Sequence, residues 1–489
     1  MKCFIMVFLL LFSGVSSADE NLKSQILQYM EFGKIPDLVI VTVDKNKKSD
    51  VILLTNENKN GPQNLDKETI FELASVSKSF TGLIAAKMIE EGKILPQTTV
   101  SSILPSIKTI YAGENVDVTF LQLLNHTSGL PFKTIDMLYS QPEKGLSQVI
   151  DEIKLINLQT MPGQQHAYAT LNYDIAARMM EKVSGQSYQQ LLRTYILSPL
   201  QMNGTSVLPD VAKKAIGHQI SFLQARPYDA PFVLANVPAG YIQTNASDML
   251  NWLRFLGSNT DSTLLNAKKR VFSGKLGVDT NESEKTIYTL GWYKQGNRVF
   301  HTGMNPTFSS YVAVDLDSGA AVAVMANVNS NITFELGKQA MEQLAQGGEF
   351  TGLSTVKELE LFDTFDRTFL IVSVFVILAC LLLIYLNLKG KNISWLANFG
   401  VVKATILSAL FIIALLVMLT LPNLLLGLSW ATFMIWMPNS FWVLYCSLVL
   451  LCSFVSLCSL RFYIVTAQCI EFDRGLIFLK CSEFKFIRI

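Results

Sequence analysis

From Phe4 to Ala379 the chain has no cysteine. A domain built from that stretch has no disulfide to hold it, so its stability has to come from packing. Charge is scarce too: charged residues make up 16% of the chain, against roughly a quarter in an ordinary soluble protein. The formal net charge is +1, and no basic cluster occurs, which argues against nucleic acid as a partner. Histidine is rare, with 4 in 489 residues, and no histidine and cysteine stand at metal-ligand spacing. The residues therefore support neither a metal nor any other cofactor. Internal repeats and low-complexity segments are also missing.

The charge deficit is local. Residues 19–366 read as one globular domain, long enough to bury a full core, whereas the chain from Thr368 onward is mostly apolar. Met1-Lys2, an apolar run through Phe12 and the small residues Ser16-Ser17-Ala18 read as a signal peptide over 1–18, cut after Ala18. An uncleaved anchor is the alternative, and either one exports the domain that follows. Residues 367–489 form the membrane segment, with spans near 369–386, 404–421 and 441–460. Lys389, Lys391 and Lys403 flank the first connection, and Arg461, Arg474, Lys480, Lys485 and Arg488 follow the third span. The second connection, 422–440, is uncharged and carries Trp430 and Trp436. Basic residues stay on the cytoplasmic side, so the domain faces the periplasmic side of a bacterial inner membrane. The lipid bilayer is thus one partner, and the apolar helices offer a surface for homo-oligomers.

Three short segments carry chemistry. Ser75-Val76-Ser77-Lys78 puts a hydroxyl and an amine on one helical face, a turn apart. Serine becomes a nucleophile when a neighbouring base takes its proton, and lysine is such a base once burial lowers its pKa. Tyr168-Ala169-Thr170 supplies a phenol, and His301-Thr302-Gly303 a small-residue strand. Ser75 closes the apolar stretch from Ile70 to Ala74 and opens a helical run from Phe80 to Glu91. Hairpins are predicted over 38–55, over 288–300 and over 309–324, with helices between, which suggests an antiparallel sheet that both ends of the domain complete.

Phe71 to Lys78, the loop His126-Thr127-Ser128-Gly129-Leu130-Pro131, Tyr168 and His301-Thr302-Gly303 together resemble the class C β-lactamases and penicillin-recognising serine hydrolases. The resemblance implies an α+β fold of the serine β-lactamase/DD-peptidase type: an antiparallel sheet flanked by helices, beside a helical subdomain, here followed by three transmembrane helices. Val237-Pro238-Ala239-Gly240-Tyr241-Ile242 and Asn305-Pro306 extend the likeness toward the prodrug-activating D-asparaginyl peptidases of colibactin-type pathways, which also carry three C-terminal membrane helices. That narrower likeness implies a substrate with an N-acylated D-amino acid, cleaved at an amide bond to release a nonribosomal peptide-type metabolite.

By the same resemblance Ser75 is the nucleophile, Lys78 the base and Tyr168 the proton shuttle. The backbone N–H groups of Ser75 and Met304 form the oxyanion hole, and His301 stands on the strand edge. Thr170, Gln243 and Asn305 read the substrate side chain. Against these stand blander roles: a helix N-cap for Ser75, a solvated Lys78 and a packed core tyrosine at 168. Asp248, Trp252 and Leu256 recur at helical spacing and read as core, His126 as structural, and His166 and His218 as surface residues. The competing functions are a cell-wall D-amino-acid hydrolase or β-lactamase, and a non-catalytic penicillin-binding or export-accessory protein.

Overall fold

The computed structural model describes residues 17–56, 65–209, 212–260, 262–281, 285–347, 350, 360–389 and 401–454. It divides into two units, Met1–Thr364 with Met434–Trp436, and the remainder of the C-terminal segment.

The first unit is built on an eight-stranded sheet. Its strands are β1 (Asp37–Val43), β2 (Ser49–Thr55), β3 (Val278–Asn281), β4 (Thr286–Thr289), β5 (Trp292–Gln295), β6 (Arg298–Met304), β7 (Ser309–Asp315) and β8 (Ala321–Ala326). They lie in the order β3-β4-β5-β6-β7-β8-β1-β2, antiparallel throughout. As the hairpin pattern predicts, the N-terminal strand closes against the last one, with Leu38 opposite Ala326. The first hairpin turns on Asp44, whose Oδ1 accepts the N–H groups of Asn46 and Lys48, each at 2.8 Å.

One face of the sheet is covered by the first and last helices of the unit, α1 (Ser17–Phe32) and α5 (Ile332–Gln346). Ile26, Tyr29 and Met30 meet Leu38, Ile40, Val322 and Val324 there, together with Leu336 and Met341. The other face takes α4 (Ala246–Gly257), where Asp248, Trp252 and Leu256 are buried, as their spacing suggests. Trp252 stacks on Phe80 with centroids 4.1 Å apart and planes 13° apart, worth roughly 0.5–1.5 kcal/mol beyond its burial. Phe80 belongs to α2 (Ser77–Glu90), in which every residue from Ser77 to Ala86 is buried. A helix enclosed on all sides is a core helix, and this one also packs on α3 (Leu171–Ser184).

Two expectations are corrected. The stretch 288–293 is not one strand: it divides into β4 and β5 because Leu290 (φ 43°) and Gly291 (φ 86°) turn the chain. That turn docks on α2, with Gly82 against the Leu290 carbonyl and Gly291 against the Lys78 carbonyl, closer than any Cβ could be tolerated. Asn125 Oδ1 accepts the Leu290 N–H at 3.1 Å and pins the corner. His218 is not a surface residue either; it is 4% exposed, on a strand whose His218 N–H donates to the Asn327 carbonyl at 2.8 Å.

In the C-terminal segment, helices Leu361–Leu388 and Val401–Leu426 contain the first two expected spans, and Ser440–Phe454 covers part of the third. Leu361–Leu386 is long and apolar enough to cross a bilayer. Residues 1–16 of the expected signal peptide, Lys391, and everything after Phe454, including the end of the third span and the basic tail, lie outside the described residues.

The docked turn makes a test of the fold. Gly82→Ala forces a methyl into the Leu290 carbonyl and is expected to cost about 1–3 kcal/mol, as overpacking does. Gly92→Ala meets open space and is expected to cost only about 1 kcal/mol for its positive φ. Urea denaturation of the two variants checks the difference; equal losses would contradict the docking.

Candidate active site

The nucleophile turn is made by backbone strain followed by a helix start. The short strand Phe71–Glu72 leads into Ala74, which adopts φ 47°, a sparsely populated region for a residue with a side chain. The chain reverses there, and Ser75 is presented just before the N-terminus of α2, where the helix dipole favours developing negative charge. Gly303 on β6 lies against this turn: a Cβ there would come within 3.0 Å of Ser75 N. β5 pairs with β6 only as far as Phe300, so among the described residues no strand pairs with that edge from His301 to Met304. The edge faces the nucleophile turn.

Ser75, Lys78 and Tyr168 come together, as the sequence predicts. Ser75 Oγ lies 3.1 Å from Lys78 Nζ, and Tyr168 Oη donates to it at 2.9 Å. Lys78 is fully buried at 0% exposure, which excludes the solvated alternative. Its Nζ also donates to the Ala239 carbonyl at 2.7 Å and to Thr170 Oγ1 at 3.3 Å. These partners decide which way the amine faces. A neutral amine has two hydrogens and one lone pair. Ala239 and Thr170 take the hydrogens, and the lone pair is left for the Ser75 hydroxyl.

The electrostatics favour that neutral form. Burial lowers the Lys78 pKa from 10.5 to about 7, opposed by the nearby Asp174 carboxyl. Asp174 is itself fully buried, and neither carboxyl oxygen has a hydrogen-bond partner among the described residues. Its pKa is raised well above the usual range by burial, with Lys78 acting the other way, so both groups shift toward their neutral states. The Tyr168 phenol is pushed well above its ordinary pKa, first by burial and then by Tyr293. Burial thus favours the protonated phenol, and of the two groups the amine is the one whose pKa is brought down to about 7.

His126 is structural, as expected, and in a specific way. Its ring lies 4.2 Å from that of Tyr168, centroid to centroid, and its Nδ1 accepts the Ala169 N–H at 3.4 Å and stands 3.0 Å from Asn172 Nδ2. Asn172 Oδ1 accepts Ser128 Oγ–H at 2.6 Å, so the loop 126–131 and the start of α3 are locked around the phenol. His166, read as a surface residue, is half-buried and packs 5.4 Å from the Tyr288 ring. His301 is buried; its Nδ1 lies 2.6 Å from the Thr302 carbonyl and its Nε2 3.2 Å from Tyr288 Oη. Burial, then the charge of Lys78, lowers its pKa to about 3, so no cation stands at this position of β6.

Of the residues expected to read substrate, Thr170 touches Lys78, and Asn305 is buried beside Glu72. Gln243 is 0% exposed, with its backbone paired to Ser206 and Glu72. Three neighbours of these residues escaped the sequence reading: Asp174 near Lys78, Glu72 beside Asn305 and Asn236 beside Thr170. Glu72 stands inside the motif Phe71 to Lys78, and Asn236 immediately precedes Val237-Pro238-Ala239-Gly240, so position was the available signal.

Residues 22–345 match the family model described as Beta-lactamase. The chain belongs to the beta-lactamase family. It is a serine hydrolase that works through an acyl-enzyme. It is 26% identical over 441 residues to the protein flp of Staphylococcus aureus strain MW2, covering 86% of each chain. That alignment runs past the matched domain into the apolar segment. Penicillin-binding protein 4 of Amycolatopsis lactamdurans is 24% identical over 302 residues, 57% of this chain and 78% of that one. Among solved structures, the octameric penicillin-binding protein homologue of Pyrococcus abyssi superposes with a TM-score of 0.57 at 20% identity, covering 72% of this chain and 81% of that one. The D-alanine carboxypeptidase AmpC of Burkholderia cenocepacia gives 0.54 at 19% identity, covering 67% and 98%. These likenesses show the fold.

If the neutral amine is the working state, the rate of acylation rises with pH through about 7. Below that pH it is expected to fall tenfold per unit as Lys78 takes up a proton. Pre-steady-state acylation measured from pH 5 to 9 checks this; a rate that stays flat from 5 to 8 contradicts it.

Proposed function

We propose that the protein is an exported serine amidohydrolase, tethered by three C-terminal membrane spans with its catalytic domain on the periplasmic side. We propose further that it removes an N-acyl-D-asparagine leader from a nonribosomal peptide-type metabolite. The observation that carries the hydrolase chemistry is Ser75 Oγ within hydrogen-bond reach of both Lys78 Nζ and Tyr168 Oη. In this reading neutral Lys78 takes the Ser75 proton as Oγ attacks the scissile carbonyl. The N–H groups of Ser75 and Met304 hold the oxyanion. Tyr168 then passes its proton to the leaving amine and regains one from Lys78, and water hydrolyses the acyl-serine, its proton passing by way of neutral Lys78 back to Ser75 Oγ.

The amide specificity rests on a different observation. By the family resemblance a lysine is expected where this chain has His301, and here the group is a buried histidine whose pKa is lowered to about 3. A site without that cation has less to hold a terminal carboxylate and suits an internal amide bond. The likeness to a penicillin-binding protein and to a D-alanine carboxypeptidase favours a second reading, a cell-wall D-amino-acid hydrolase or β-lactamase. The bilayer-long helix Leu361–Leu386 supports the tether. Anchoring holds the site near a greasy acylated substrate.

Hydrolysis of nitrocefin, an acyl-D-Ala-D-Ala peptide and an acyl-D-Asn amide separates the readings. The acyl-D-Asn amide is expected to be cleaved at least about tenfold faster than the others, from an unpaired polar group in each of them. Ser75→Ala is expected to lower turnover by a factor of about a thousand or more. Preferential cleavage of acyl-D-Ala-D-Ala would overturn the prodrug reading, and full turnover by Ser75→Ala would overturn the mechanism.

A further inference from the structure

A two-residue hairpin turn with positive φ at both positions is of type I′, and sterics there favour asparagine, aspartate and glycine. One hairpin of the catalytic unit departs from that preference. Its strands are His218–Ser221 and Gln224–Pro227, closed by the pair Ser221 and Gln224. The turn residues are Phe222 at φ 52° and Leu223 at φ 65°. Bulky side chains are strained in that region, and Asn-Gly would make the same turn without the strain. Full burial does not offset it, since Phe222 is 36% exposed and Leu223 42%. The strands themselves are held firmly, with Ile220 and Ala225 buried in the core of the main sheet. A rigid base thus presents an apolar tip, and a strained apolar tip calls for a reason.

Charge gives the first indication of what the tip meets. From Ala212 to Tyr228 no acidic residue occurs, whereas Lys213, Lys214 and Arg226 do. Lys214 is paired with Glu72. The Arg226 guanidinium lies 5.4 Å from the centre of the Phe222 ring, and its Nε donates to the Ser221 carbonyl at 3.1 Å. A cation therefore stands directly behind the apolar tip, the combination found in segments that lie in a membrane interface. Continuity of the chain gives the second. Gln219 Nε2 donates to the Ile435 carbonyl at 3.3 Å, within the catalytic unit. Ile435 belongs to the uncharged connection 422–440, five residues before Ser440, where the apolar helix Ser440–Phe454 starts. Five residues reach at most about 18 Å, so the base of the hairpin is tied close to the start of an apolar helix.

We propose that the hairpin tip is a membrane-surface contact of the catalytic unit, with Phe222 and Leu223 seated at the boundary between lipid headgroups and acyl chains. Arg226, just behind them, meets the lipid phosphates. The occupant is the bilayer because apolar side chains, a neighbouring cation and a link to the connection between apolar helices all occur at one place. The proposal rests on the membrane tether of the proposed function and goes beyond it. The tether alone would leave the unit free to tilt on its spans. A second foothold on the lipid restricts that tilt, and it does so without touching the catalytic groups.

The test uses the full-length protein in nanodiscs of phosphatidylethanolamine and phosphatidylglycerol. A single trifluoromethylphenylalanine replaces Phe222, Leu223 or Phe375 in turn. Phe375, 68% exposed on the apolar helix Leu361–Leu388, reports on the tether. Fluorine NMR compares relaxation by a spin-labelled lipid with relaxation by a water-soluble gadolinium chelate. At Phe222 the lipid effect is expected to exceed the chelate effect by at least about threefold, as for a side chain about 5–10 Å into the boundary. Where thermal melting shows that the probe at Phe222 disturbs folding, the probe at Leu223 decides by the same ratio. A larger chelate effect at the tip, with Phe375 relaxed by lipid, overturns the contact and leaves the tether standing. Weak relaxation by both agents at the tip means that protein covers it, which overturns the contact as well. A chelate effect that dominates at Phe375 removes the tether, and the contact with it.

Discussion

Everything in this site follows from burying one lysine amine without giving it a counter-ion that stays charged. An ammonium in a dry interior is costly, and the group responds by giving up its proton rather than by bearing that cost. Lys78 lies on α2 where it packs on α3, and its acidic neighbour Asp174 is just as buried and shifts toward the neutral acid for the same reason. A lasting salt bridge would have fixed the amine as a cation with no lone pair to offer. Its two acceptors then leave the lone pair for Ser75. Burial sets the protonation state, and the hydrogen bonds set its direction.

The rest of the fold keeps that arrangement still. The turn at Leu290 and Gly291 is seated on α2 between Lys78 and Gly82, with no room for a side chain on either side. Gly303 brings the open edge of β6 against the nucleophile turn, and the Ser310 hydroxyl on β7 donates to the Leu73 carbonyl at 2.6 Å just before it. The phenol of Tyr168 lies against His126, whose own position is set by Asn172 and Ala169. These are rigid-element supports, the kind that hold catalytic groups to a fraction of an ångström. They also explain why four sequence segments so far apart have to be present together.

Much of this was legible in the sequence, and the reason differs from part to part. The hairpins at both ends of the domain were visible because alternating or apolar strands flank turn-forming residues such as Asp44 and Gly319. Ser75 and Lys78 were visible because their spacing is local. Tyr168 and His301 were visible only through the order of motifs, since nothing local distinguishes them from core aromatics. The division of 288–293 was hidden: Leu290 takes a left-handed φ that only docking on α2 explains. Burial of His166 and His218 was hidden for the same reason, as a polar residue shows its partners only in three dimensions. Asp174, Glu72 and Asn236 matter through whom they touch, and single-residue reading does not record that.

The most direct measurement of the central claim is the titration of Lys78 itself. NMR of protein carrying carbon-13 at lysine Cε, with the Lys78 signal assigned by its absence in Lys78→Met, reads the pKa without any assumption about turnover. A midpoint near 7, set by burial, is expected. A midpoint close to the 10.5 of an ordinary lysine would mean that the amine is a charged structural group, and that the base of this hydrolase is some other residue.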